Sequence, residues 1–430
     1  MDTPLRIAIA GLGTVGTGTF RLLAENRARI AARAGREIRV TAVTARDRGR
    51  DRGIDLTDVR WVEDLELLAH DPEIDVVCEL IGGTDDPALA LVRACLRAGK
   101  PVVTANKAML AVHGAELAEL AEGTGTTLAY EAAVAGGIPV VKMLREGLAG
   151  NRIERVYGIL NGTCNYILTQ MRQSGRPFEE VLAEAQELGY AEADPSFDID
   201  GIDTAHKLAI LAALAFGGRP RFDAVHIEGI RHVAPIDIAF AEELGYRIKL
   251  LGVARTTNAG LEQRVHPCMV PGDAPIAQVE GVLNGVVAEG DFVGATVCEG
   301  RGAGAEPTAS AVVADLVDLA RGRISPVFGV PARRLADHPV ASMAAHEGSY
   351  YIRLMVVDRP GVLAEIATVL RDHEISIEAL IQRARNPGQG VPIVLTSHET
   401  REAAMTAALA RIATLPSVLE PPRMIRIERL

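Results

Sequence analysis

Cysteine is too sparse and too scattered to organise this chain. The five cysteines (Cys78, Cys95, Cys164, Cys268 and Cys298) are odd in number and form no CxxC pair, which argues against a disulfide framework or a zinc site. Long apolar runs are also missing. The longest helix-like one, residues 208–216, is far too short to cross a bilayer, so no membrane partner is expected. The first ten residues run straight into glycines without the layout of a signal peptide, and a cytoplasmic location is the default expectation. No Lys/Arg-rich block occurs and the formal net charge is −11, which argues against nucleic-acid binding. Aromatic residues make up only 4%; the remainder is an ordinary globular composition, 48% hydrophobic and 23% charged. At 430 residues the chain can hold two or three domains, each with its own core.

The N-terminal third alternates β and α patterns. Residues 6–10 form a short apolar strand, followed at once by Gly11-Leu12-Gly13-Thr14-Val15-Gly16 and a helix reaching about residue 26. A lone GxGxxG says little, but strand, glycines and helix in succession read as a dinucleotide site. Gly11 permits the tight turn, Gly13 lets backbone N–H groups approach a pyrophosphate, and Gly16 allows close helix packing. The strand at 38–43 ends near Arg46 and Arg48 rather than at an acidic residue. An arginine there suits a 2′-phosphate, so NADP(H) is favoured with NAD(H) tolerated; solvated loop charges are the plainer reading. Further strands are expected at 75–81, 99–107 and 127–130, with helices at 87–98 and 114–123. Asn106 and Lys107 would then sit at a strand's carboxyl end, where open α/β sheets bind ligands. The alternation implies a doubly wound, mostly parallel sheet.

The densest chemistry lies in residues 189–216, GYAEADPSFDIDGIDTAHKLAILAALAF. Glu192, Asp194, Asp198, Asp200 and Asp203 crowd its first half, and Ile202, Leu208, Leu211, Ala212 and Ala215 offer an apolar face for a helix in its second. An EF-hand fits poorly, because Asp198-Ile199-Asp200-Gly201 lacks a third oxygen ligand and a distal glutamate. Asp203 and Lys207 are four apart, so on a helix they share a face. That pattern is either a surface ion pair or, among carboxylates beside an apolar wall, a lysine that donates a proton or clamps a substrate. Upstream, a strand at 153–159 precedes Leu160-Asn161-Gly162-Thr163-Cys164-Asn165-Tyr166-Ile167, with helices expected at 139–148, into 171, and at 179–188. Cys164 reads as a structural thiol rather than a nucleophile, since no base is evident. Strands at 246–255, 261–270 and 285–292 indicate an α+β domain whose sheet can pair subunits. A second glycine loop at 299–307, containing Gly304, precedes a helix at 308–321 that is expected to complete the first domain.

After a connector at 326–345, residues 346–430 read as strand, helix, strand, strand, helix, strand. This βαββαβ order is ferredoxin-like and carries no acid–base cluster, so it points to binding or regulation.

With these residues in view, the chain resembles the monofunctional homoserine dehydrogenases that carry a C-terminal ACT domain. The resemblance spans nearly its full length, and its most specific segments are LNGTCNYIL, GYAEADP…DIDGIDTAHKL and the TANK ending at Lys107. It implies a Rossmann-type domain over 1–135, a catalytic and dimerisation domain over 136–306, and an ACT domain at the C-terminus. The implied activity is reversible NAD(P)H-dependent reduction of L-aspartate 4-semialdehyde to L-homoserine, on the route to threonine, methionine and isoleucine. By resemblance, Lys207 is the proton donor and Lys107 a second lysine near nicotinamide and substrate. Glu192 and Asp203 hold the substrate, with Asp198 and Gly189 in the same site. Also by resemblance, Glu131, Val134, Gly136 and Ile138 form a sodium site, Asp358-Arg359-Pro360-Gly361 is an amino-acid-binding turn with L-threonine the expected effector, and the chain is a homodimer or homotetramer. An added aspartate kinase activity is not expected, since only residues 1–5 precede the first strand. Two competing readings remain at this point: a semialdehyde dehydrogenase acting through a thioester at Cys164, and a non-catalytic NADP(H)- and amino-acid-sensing protein.

Overall fold

Six short strands build the first sheet, in the order Arg60–Trp61, Ile38–Thr44, Leu5–Ala10, Val76–Glu79, Val102–Thr104, Leu128–Ala129, every neighbour parallel. The computed structural model describes residues 3–383 and 390–430. Leu5, Ile7, Ile9 and Ala10 are all buried, so the central strand needs cover on both faces, which crossover helices supply. The order reverses between Leu5–Ala10 and Val76–Glu79, and that switch opens a crevice at the carboxyl ends of the strands. The helix Ala305–Ala320 returns from far along the chain to pack on Thr14–Glu25: a Cβ added at Gly18 would lie 2.7 Å from the Ala305 carbonyl oxygen. Its Ala311, Val312, Val313 and Leu316 join the core of the first sheet.

Several elements differ from the sequence reading. The strand expected over 99–107 ends at Thr104, and the helix expected from residue 114 begins at Lys107. Asn106 causes the early start: it is the N-cap, and its side chain accepts from the Met109 N–H. The helix expected over 139–148 is α-helical only at Val140–Lys142 and continues as a π-helix, Met143–Gly147. The glycine loop expected over 299–307 is shorter, because Glu299, Gly300 and Arg301 end an unanticipated strand, Gly294–Arg301. Its glycines mask the strand pattern; edge strands tolerate them better than central ones. Four further α-helices, Arg27–Ala34, Leu65–His70, Ser196–Ile199 and Pro235–Glu243, are additions to the elements that the sequence pattern indicates.

The second sheet runs Gly294–Arg301, Leu283–Gly290, Ile153–Ile159, Tyr246–Thr257, Gly260–Pro271, all antiparallel. It does not stop there. Arg423–Ile427 pairs in parallel with Gly260–Pro271 (Cys268 opposite Arg426, Met269 opposite Ile427) and brings with it Glu347–Val357, Gly390–Ser397 and Ile377–Ile381. The C-terminal βαββαβ unit is therefore an extension of the second sheet. Buried charges mark the seam: Arg353 and Tyr351 both reach Asp237, and Arg426 pairs with Glu228 and Glu402.

The helix Ile202–Phe216 lies between this sheet and the helix Lys107–Gly123. The sequence indicated one apolar face, but every residue from Asp203 to Leu214 is buried. A helix apolar nearly all round belongs inside. Asp203 and Lys207 are accordingly an interior pair rather than a surface one.

Candidate active site

The turn before that helix sets the site. Gly201 has φ +87°, and a Cβ there would lie 3.0 Å from Val265 and 3.2 Å from Ile227. The chain can thus reverse tightly and project Asp203 and Lys207, one turn apart, towards Lys107 and the Leu160 carbonyl. Asp203 Oδ2 accepts from Lys207 Nζ at 2.7 Å, and Lys207 Nζ also donates to the Leu160 carbonyl at 2.7 Å. Lys107 approaches from the first domain and places its Nζ 2.9 Å from Asp203 Oδ1. A lysine at a helix N-terminus faces the positive end of the dipole, and the Asp203 charge offsets that. One carboxylate therefore ties the two lysines, and with them the two domains, together.

Burial lowers the Lys207 pKa; the Asp203 charge opposes this and the Lys107 charge adds to it. Burial also disfavours the charge on Lys107, but Asp203 outweighs it and the pKa is raised. Asp203 stays ionised, well below the usual carboxylate range, because the two ammoniums overcome the cost of its burial. Asp198 shifts the other way: burial and the Asp203 charge raise it, against hydrogen bonds from Asn161 and Thr163. His206 is no base here. Burial brings its pKa down to about 4, and its ring stacks on Phe222 with centroids 4.2 Å apart. Cys164 is buried and its Sγ meets the Asp198 carbonyl at 3.2 Å; desolvation and neighbouring carboxylates push its pKa well up. That is the environment of a structural thiol, and it removes the support for a thioester.

Other residues singled out in the sequence fall as follows. Glu192 is exposed, its carbonyl accepting from Gln186, and the structure brings its carboxylate to none of the lysines. Gly189, with φ +74°, closes the helix Phe178–Glu187 in an exposed turn. Gly11 has φ +100°, and Gly16 packs so tightly that a Cβ would meet the Gly11 carbonyl oxygen at 1.9 Å. Gly13 faces open space, with no atom within 4 Å of a would-be Cβ, at the N-terminus of Thr14–Glu25. Leu12 is buried, Thr14 is exposed and Val15 is half-buried. Backbone N–H groups of a helix N-terminus beside an open glycine form a cradle that fits a pyrophosphate. Arg46 is exposed, and Gly304, with φ +113°, is the N-cap of Ala305–Ala320. Glu131 is buried, and its two oxygens accept from the Val141 and Lys142 N–H groups at 2.9 Å each. Burial and then Asp315 raise its pKa to about 7. Val134 and Ile138 are buried beside it, and Ala135 and Gly136 both adopt positive φ. Among the described residues, no cluster of three or more His, Cys, Asp or Glu side chains could hold a metal. Gly361, with φ +95°, caps Val362–Asp372 above a groove of about 640 Å³ lined in part by Glu365, Thr368, His373 and Arg411.

Sequence reasoning missed several residues. Glu79 is fully buried, accepting from the Thr104 hydroxyl at 2.6 Å and from the Ile81 and Gly82 N–H groups, so it shapes the loops around the crevice. Its signal was visible: a lone charge inside an apolar parallel strand. Arg52 donates to the Leu12 carbonyl at 3.2 Å and, with Arg48, lies over the Trp61 ring, about 6 Å away. Asn161 donates to Asp198 Oδ1 at 2.8 Å and to Asp203 Oδ2 at 2.9 Å, and Thr163 donates to Asp198 Oδ2 at 2.9 Å.

Comparison with known proteins agrees with this organisation. Residues 11–131 match the homoserine dehydrogenase NAD-binding domain, residues 139–317 the homoserine dehydrogenase family model, and residues 350–416 the ACT domain. The homoserine dehydrogenase of Pseudomonas aeruginosa is 49% identical over 99% of each chain, and that of Helicobacter pylori 42% over 100% of each. The crystal structure of a homoserine dehydrogenase from Thiobacillus denitrificans matches with a TM-score of 0.94 and 47% identity over 99% of each chain. A hyperthermophilic archaeal homoserine dehydrogenase in complex with NADPH matches with a TM-score of 0.64 and 28% identity, covering 75% of this chain and 100% of that one. No helix among the described residues is long and apolar enough to cross a membrane. The parallel nucleotide fold, the two-lysine site on one carboxylate and the full-length similarity agree, and the chain belongs to the homoserine dehydrogenase family of NAD(P)-dependent oxidoreductases.

Proposed function

We propose that this protein catalyses the reversible reduction of L-aspartate 4-semialdehyde to L-homoserine, with Lys207 as the proton donor. The observation that carries this reading is the state of the Lys207 ammonium. Two of its three N–H groups are committed, to Asp203 and to the Leu160 carbonyl, in a nearly dry pocket, and the third is available to a substrate oxygen. When bound, the nicotinamide cofactor supplies the hydride. Negative charge then gathers on the aldehyde oxygen; Lys207 stabilises it and transfers a proton there, becoming a neutral amine that its lowered pKa favours. Asp203 orients the lysine, and Lys107 adds a second positive charge at the mouth of the crevice. Glu192 and Asp203 are proposed to hold the substrate's amino group and hydroxyl, with Asp198 and the turn at Gly189 in the same site; for the exposed Glu192 this requires the acidic segment to fold inward.

NADP(H) is the favoured cofactor, with NAD(H) tolerated. Support comes from Arg46, Arg48 and Arg52 at the end of Ile38–Thr44 and from the archaeal relative solved with NADPH. The buried Glu131, whose pKa burial and Asp315 raise against the Lys142 charge, lies beside a left-handed turn and fits one sodium ion held with the Val134, Gly136 and Ile138 carbonyls; that ion would brace the turn between the domains. The segments 1–135 with the helix near 307–325, 136–306 and 346–430 act as cofactor, catalytic and ACT units, in a cytoplasmic homodimer or homotetramer whose rate responds to L-threonine at the Asp358–Gly361 turn. The test is oxidation of NADPH and of NADH with L-aspartate 4-semialdehyde, in wild type and Lys207→Ala, with and without L-threonine. Turnover with a loss of roughly 10²-fold or more in the variant is expected. No turnover by folded protein with either cofactor overturns the activity, and undiminished turnover in Lys207→Ala unseats the donor.

A further inference from the structure

Asn161 ends the loop between Ile153–Ile159 and the helix Gly162–Ser174, and both ends of its side-chain amide are in use. Its Oδ1 accepts from the Cys164 N–H at 2.8 Å as the N-cap of that helix. The cap bond dictates which way the amide faces: Nδ2 must point at Asp198 and Asp203 and donates to both, at 2.8 and 2.9 Å. A flipped amide would lose the cap and set an oxygen against two carboxylates. Asn161 is 5% exposed, so water cannot easily take over either role. The preceding residue supplies the carbonyl that receives Lys207, and Asp203 Oδ2 is shared between Asn161 and Lys207. One turn thus grips both members of the acid–base pair.

We propose that Asn161 is a positioning residue for the reaction: its amide, locked by the helix cap, bridges Asp198 and Asp203 and keeps both carboxylates ionised and aimed while Lys207 cycles between ammonium and amine. The inference rests on the reading of Lys207 as proton donor. The need for such a bridge is electrostatic. A buried carboxylate (Asp203) and a half-buried one (Asp198) in one pocket repel, and without donors one of them takes up a proton. Among the described residues, the charged and titratable groups facing the pair are Lys207, Lys107, Cys164 and His206, while Asp200, which faces Cys164, is engaged by Arg231. Asp203 takes a hydrogen bond from Lys207 and an ion pair with Lys107, whereas among the described residues Asn161 and Thr163 are the side-chain donors to Asp198.

The test compares Asn161→Ser and Asn161→Asp with wild type in the full-length enzyme, by thermal melts and by kcat against pH. Both replacements are good N-caps, so the helix start is kept in each. Losing a hydrogen bond to a charged group predicts a kcat lowered roughly tenfold to hundredfold in Asn161→Ser, with the acidic limb of the profile moved to higher pH. Asn161→Asp, which adds a third carboxylate, is expected to be worse on both counts despite its equal capping strength. A purely structural role predicts melts and rates that follow capping strength, with the pH profile unmoved. That result, or wild-type kinetics in both variants, overturns the proposal. Lys207→Ala is run alongside: if it keeps wild-type kcat while the Asn161 variants shift the acidic limb, the donor assignment fails and the carboxylate bridge stands.

Discussion

Replacing Asp203 with asparagine tests the electrostatics of the site most directly. The substitution preserves shape, removes the charge that Lys207 meets at 2.7 Å and Lys107 at 2.9 Å, and turns one of the two accepting oxygens into an N–H donor. Deleting one member of a buried pair leaves the other uncompensated, at about 3–5 kcal/mol. The two lysines do not share that cost equally. The Lys107 side chain is 35% exposed and can turn to water, whereas that of Lys207 is 9% exposed and cannot. Lys207 therefore escapes by releasing its proton, and the donor is lost before the reaction begins. At about 1.4 kcal/mol per tenfold, the expected fall in kcat at neutral pH is about 10²–10³-fold. The loss should shrink as the pH is lowered, because acid restores the ammonium. The assay is steady-state NADPH oxidation from about pH 6 to 10, with circular dichroism to confirm folding at each pH. A folded variant with the same deficit at every pH would refute the charge argument, and wild-type turnover would refute the role of Asp203 altogether.

Other predictions follow from the same structure. Glu262 at the seam with the ACT unit is buried among His346, Arg264 and Arg255, which carry its pKa down to about 2 from 4.5 against the cost of burial. The group's contribution, of order 3 kcal/mol, is complete above about pH 4.5 and disappears as the pH falls towards 2, so Glu262→Gln should flatten the acid arm of a stability–pH curve. An unchanged acid arm would count against the pairing. Gly16→Ala forces a Cβ against the Gly11 carbonyl and should both lower the melting temperature and weaken NADPH binding, whereas Gly13→Ala, facing open space, should leave the melting temperature alone; fluorescence titration and thermal melts read both. Cys164→Ala should retain activity within a few-fold, and a collapse of turnover in folded protein would restore the thioester reading.

Much of this protein is written in short-range pattern. The strand–GxGxxG–helix start, the alternating units of the first sheet and the C-terminal βαββαβ order all rest on periodicity and turn residues within some twenty positions. The i, i+4 spacing of Asp203 and Lys207 is by itself enough to place them on one helix face. Folding in three dimensions decided the rest. Burial turned that pair from a surface contact into an interior one, because the helix Ile202–Phe216 is enclosed on all sides, and this is what perturbs Lys207. Lys107 reaches Asp203 across 96 positions of sequence, and Asn161 reaches it across 42, separations that no local pattern encodes. The join of the ACT sheet to the catalytic sheet through two residue pairs, Cys268–Arg426 and Met269–Ile427, is equally non-local. Hydrogen-bond pairing between strands depends on which edges meet, and only the assembled chain settles that.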